Sequence, residues 1–127
     1  MVTYPALRRE VVTALRSLSD VEYQERVWVR QELPHPKYYD EFQLELDTLF
    51  NDIDVCRDPE SWVGSVLYGD EVPYLHSLGI ALDEITADDS LGEDEEFIAD
   101  VRWPRIVELA HSALSKLTEN NDAEDRK

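Results

Sequence analysis

The chain has one cysteine, four glycines and, from Asp58 to Val101, no lysine or arginine. Each scarcity excludes something. A lone thiol, Cys56, cannot close an internal disulfide, which fits a reducing compartment such as the cytoplasm. Four scattered glycines leave no phosphate-cradling loop: G-x-x-x-x-G-K-[ST], G-x-G-x-x-G and G-x-S-x-G are all missing. No apolar run approaches the ~20 residues that cross a bilayer. The opening MVTYPALRREVV lacks the uninterrupted apolar stretch of a secretion signal. The expected location is therefore cytoplasmic.

The missing basic residues matter most. Residues 58–101 carry 13 Asp and Glu and no compensating cation, so −13 of the net −17 falls in that segment. Residues 1–57 hold 7 basic and 11 acidic groups, and residues 102–127 hold 5 of each. Charge concentrated this way makes DNA, RNA and anionic membrane poor partners and a basic protein surface a good one.

What is there is enough for a core. Hydrophobic residues make up 43% of 127, with 3 Trp, 6 Tyr and 3 Phe, which suits one domain. We expect that domain over 1–118. Residues 119–127 have no apolar side chain larger than Ala123 and read as a flexible tail.

The periodicity is helical. Leu7, Val11, Ala14, Leu15 and Leu18 share a face, with Thr3 as N-cap and Pro5 in the first turn. Ser19-Asp20-Val21-Glu22 reads as a capping box for a second helix. Its Arg26-Val27-Trp28-Val29-Arg30 also alternates like a strand. Pro34 and Pro36 break the chain. Tyr39, Phe42, Leu46, Leu49, Phe50 and Ile53 predict a third helix. Asp58-Pro59 starts a short one through Trp62, Val66 and Leu67 that stops at Gly69. Asp70 caps the next, whose buried face is Leu75, Leu78, Gly79, Leu82 and Ile85. The acids at 93–96 lead a short helix through Phe97 and Ile98. The last begins near Asp100. The expected fold is all-α with five or six helices; an α+β fold with a small sheet at Val27–Val29 is the alternative.

Chemistry-bearing motifs are few. An EF-hand register with Gly92 at position six puts Ala87 at one and Ile98 at twelve, which fails. Glu108-x-x-His111 is one copy of a spacing that di-iron bundles need twice. His35, His76 and His111 lie far apart, and Cys56 beside Arg57 reads as an incidental thiol. We therefore expect no enzyme activity, no cofactor and no metal site. Tyr68 and Tyr74 bracket Gly69-Asp70-Glu71, and an aromatic ring beside carboxylates suits an Arg or Lys.

RVWVRQELPHPKYYDEF at 26–42, DPESWVGSVLYGDEVPYLHSLGIALDEI at 58–85 and RWPRIVELAHSALSKL at 102–117 together resemble an uncharacterised family of small acidic bacterial proteins, common in actinobacteria. The resemblance implies a single cytoplasmic domain and brings no catalytic residues. In type, the chain is also similar to bacterial toxin-immunity proteins, small acidic helical domains that cover basic toxins; fold-level likeness of this kind does not establish function.

The expected activity is thus non-enzymatic binding of a basic protein, an immunity or antitoxin-like inhibitor being the most concrete form. The candidate contact residues are Asp83, Glu84, Asp88, Asp89, Glu93, Asp94, Glu95 and Glu96, with Tyr68 and Tyr74. The alternative is a structural or regulatory homo-oligomer, at its simplest a homodimer, whose charge serves solubility.

Overall fold

The computed structural model describes residues 1–126. They form six helices, and among the described residues there is no strand: α1 Pro5–Leu18, α2 Val21–Tyr23, α3 Phe42–Leu46, α4 Val72–Thr86, α5 Asp94–Ala99 and α6 Trp103–Asp125. α2 continues in wider, π-helical turns over Gln24–Val29, and α3 does the same over Asp47–Asp52. Short 3-10 turns occupy Pro59–Trp62 and Gly69–Glu71.

The long helices follow their apolar stripes. Val11, Ala14, Leu15 and Leu18 turn α1 inward, and Leu75, Leu78, Leu82 and Ile85 do so for α4. α6 packs against both, contributing Trp103, Ile106, Ala110, Ala113 and Leu117. These side chains merge into one core with Val27, Trp28, Phe42, Leu49 and Ile53. Gly79 is what allows α4 to lie against the 55–56 segment: a Cβ there would fall 2.2 Å from the Cys56 carbonyl oxygen.

The strand-like alternation at Val27–Val29 resolves as helix. Val27 and Trp28 are both buried while Arg26 and Arg30 face solvent, so the α+β alternative does not form. The expected caps shift by one place. Asp20, not Ser19, caps α2 by accepting the Tyr23 N–H at 3.0 Å. Tyr4 precedes α1, and the backbone N–H of Thr3 instead bonds to the Gly64 carbonyl. The helix expected through Trp62–Leu67 does not form either. Gly64 has φ +92°, and the backbones of 64 and 65 are taken by Thr3 and Tyr4 at 3.0 and 2.8 Å.

The expected 119–127 tail is corrected most clearly. α6 runs on to Asp125, and polar contacts rather than apolar burial hold its last turns. Asn121 Oδ1 accepts from Arg8 Nε at 2.8 Å, and Asn120 Nδ2 donates to Glu71 Oε2 at 2.8 Å. Only Lys127, the final residue of that expected tail, lies outside the described residues.

Candidate functional site

The aromatic-plus-carboxylate arrangement anticipated around Tyr68 exists, and the cation it holds is the chain's own. The Arg8 guanidinium lies 4.9 Å from the Tyr68 ring centre. Its two terminal nitrogens donate to the two Glu71 oxygens at 2.8 and 2.6 Å. Glu71 is wholly buried and also accepts the Tyr68 N–H at 2.9 Å. Tyr68 therefore has an internal partner. Tyr74 stands exposed on the first turns of α4.

Seven of the eight acids from Asp83 to Glu96 divide into two sets, and the eighth, Glu93, is the exposed N-cap of α5. Three are committed inside the fold. Asp88 accepts the Ser90 hydroxyl and N–H at 2.6 and 3.0 Å and Arg102 at 2.8 Å, which hold its carboxyl down at about 2. Asp100 grips the same guanidinium through Nε at 2.8 Å, fastening the acidic loop to the start of α6. Glu96 Oε1 reaches back to the N–H groups of Glu93 and Gly92 at 2.8 and 3.2 Å and closes the first turn of α5. Asp94 accepts the Phe42 N–H at 3.2 Å, joining α5 to α3. Burial raises its pKa, opposed by that hydrogen bond and reinforced by the charges of Glu41, Glu93 and Asp40. The other set, Asp83, Glu84, Asp89 and Glu95, faces solvent with no side-chain hydrogen bond or ion pair among the described residues.

Between α2 with its π extension, α3 and α5 lies a cavity of about 600 Å³. Trp28, Phe42 and Phe97 form its aromatic side, with Phe42 and Phe97 edge to face at 5.0 Å and Trp28 stacked on Phe42 at 5.9 Å. Glu41, Glu93, Asp94 and Glu95 supply carboxylates, and none of the lining residues is Lys, Arg or His. The structure thus brings Glu93, Asp94 and Glu95 to one cavity and leaves Asp83, Glu84 and Asp89 outside its lining. Trp28 and Phe42 looked like core in the sequence. They are core, 4% and 2% exposed, and back the cavity behind the more accessible Phe97.

Behind that wall is a buried polar network. Asp40 Oδ2 accepts from Tyr23 Oη at 2.7 Å and Trp28 Nε1 at 2.9 Å, and the Tyr23 and Tyr38 hydroxyls bond to each other. Gln24 accepts from Trp103 Nε1 at 2.9 Å and donates to the Ser17 and Leu18 carbonyls. Glu45, buried against Asp40, has its carboxyl pushed up to about 10, chiefly by desolvation and then by Asp40. No N–H or O–H reaches its buried Oε2.

Cys56 is buried and its thiol pKa is pushed up by desolvation, not down by Arg57. Glu108 pairs with Arg105 at 3.3 Å, and His111 faces solvent. Among the described residues no three His, Cys, Asp or Glu side chains converge to hold a metal ion, and no helix is long and apolar enough to cross a membrane.

Fold and site together define an all-α domain in which acidic side chains rim an aromatic-walled cavity. The chain belongs to the family described as "Domain of unknown function (DUF7945)", whose model matches residues 2–126. No curated protein and no solved structure matches it.

Proposed function

We propose that the protein is a non-enzymatic binding module that docks its acidic face, Asp83 to Glu95, onto a basic protein. The observation that carries this reading is the set of exposed carboxylates, Asp83, Glu84, Asp89 and Glu95, that no cation among the described residues neutralises. Acids needed for folding alone have partners, as Asp88 and Glu96 do. Unpaired like charges side by side cost stability and gain in return a field that steers an oppositely charged partner. Toxin neutralisation in the manner of immunity proteins is the most specific form of this reading. The resemblance to actinobacterial proteins directs attention to the product of the neighbouring gene in such genomes.

The test is affinity capture from extracts of the source cells with the native protein and with a D83N/E84Q/D89N/E93Q/E95Q variant. Those substitutions spare Asp88, Asp94 and Glu96, whose carboxylates the fold uses. The expected result is a basic protein retained by the native chain and lost by the variant. Its association rate should fall roughly tenfold or more from low to high salt. Equal retention by both chains, or a rate indifferent to salt, overturns the reading.

A further inference from the structure

We propose that the cavity between α2, α3 and α5 is an anchor site for an arginine side chain of the basic partner, an inference that rests on the docking reading above. The cavity offers the two things a guanidinium takes at once. Phe97, half-buried and backed by the buried rings of Phe42 and Trp28, provides the aromatic surface, and Glu93, Asp94, Glu95 and Glu41 provide carboxylates, with no lining cation to compete. A planar guanidinium stacks on rings and forks across carboxylate oxygens. An ammonium is more strongly hydrated and does neither as well. The fold already holds one arginine this way: Arg8 has the Tyr68 ring at 4.9 Å and both Glu71 oxygens within 2.8 Å. A small inorganic cation fits less well, because among the described residues no three metal-ligating side chains converge. An aromatic wall also offers such a cation nothing that it offers a guanidinium. Asp94, half-buried and already burdened by neighbouring carboxylates, is the acid that gains most from an arriving cation.

The experiment is an NMR titration of the whole chain at low salt with N-acetyl-arginine amide, and in parallel with N-acetyl-lysine amide. Amide shifts are expected at Leu91–Glu95 and Phe97, together with a shift at the Trp28 indole. The arginine compound should bind about 2–5-fold more tightly than the lysine compound. E93Q/E95Q should weaken both ligands. F97L, which keeps an apolar side chain against Phe42, should abolish the preference for arginine while circular dichroism shows an unchanged fold. Shifts absent from the cavity, or spread over Asp83, Glu84 and Asp89 instead, overturn the anchor. So does lysine binding as tightly as arginine. The two proposals fail separately. A captured basic protein whose salt-dependent association is the same for F97L and the native chain removes the anchor and leaves the docking reading standing. Arginine-selective binding in the cavity, with capture insensitive to the charge-neutralising substitutions, does the reverse.

Discussion

Arg8 in the second turn of α1 and Glu71 at the entry to α4 form a two-pronged ion pair out of water, their side chains 6% and 0% exposed. Every remaining donor and acceptor of the pair is used. Arg8 also reaches the Val66 and Leu117 carbonyls and Asn121, and Glu71 takes Tyr68 N–H and Asn120. Removing one partner strands the other charge in the interior. Glu71→Gln or Arg8→Met should each lower unfolding free energy by about 3–5 kcal/mol, read from urea midpoints. The R8M/E71Q double variant should be clearly milder than the sum of its parts. Strict additivity would show that the two charges do not act as a pair.

Gly79→Ala separates helix propensity from packing. In an open helix the change gains up to about 1 kcal/mol. Here the new methyl would sit 2.2 Å from a backbone oxygen of Cys56, and backbone cannot rotate aside. The clash should win, with a loss of about 1–3 kcal/mol and a lower thermal midpoint. Gly92→Ala, whose nearest neighbour is a Glu96 side-chain oxygen at 3.8 Å, is the control and should leave the midpoint nearly unchanged.

Most of α4 and α1 was legible in the sequence because large aliphatic residues recur at helical spacing there. Val27–Val29 was ambiguous for a physical reason. Alternating Val, Trp and Arg satisfy a strand period, and only the tertiary core decides for widened helical turns. The end of α6 was illegible because Asn120 and Asn121 bury no apolar surface. Their amides complete a charge pair whose members are far away in the chain. The cavity was missed for a similar reason: nothing local marks Trp28, Phe42 and Phe97 as sharing a wall. The acids were visible at once, yet the division between Asp88 and Asp89 depends on where Arg102 reaches.

Glu45 gives a pH prediction with a definite sign. Its folded pKa is about 10 against an ordinary 4.5. The unfolded chain therefore gives up this proton from pH 4.5 upward while the folded chain keeps it. Its contribution is fully present below about 4.5 and is lost as pH rises towards 10. Glu45→Gln keeps the side chain's shape and has no proton to lose. Urea midpoints should favour the variant at pH 8 and converge with the native chain near pH 4. Parallel curves for the two proteins would show that Glu45 does not ionise on unfolding.

Asp88 should show the opposite displacement. Ser90 is the largest cause of its low pKa of about 2, and Arg102 comes next. Carbon-detected carboxyl titration should place both the Ser90→Ala and the Arg102→Met variants closer to the ordinary 3.8 than the native chain. In the native chain the loop's hold on Arg102 persists above pH 3.8 and is released as pH falls through 2. A carboxyl that stays near 2 in the Arg102→Met variant would show that the ion pair does not hold the loop.

The Met1 amino group lies 3.5 Å from Glu124 Oε1, and Thr3 and Tyr4 are hydrogen-bonded into the 64–65 turn. The beginning and the finish of the described chain therefore meet on one side of the molecule. A short linker across that gap would close the polypeptide into a ring, and new termini could be opened in an exposed loop such as 34–37 without separating α1 from α6. For the same reason, fluorophores placed at the two ends would report one location rather than the span of the protein, and would stay close for as long as α6 remains clasped to α1.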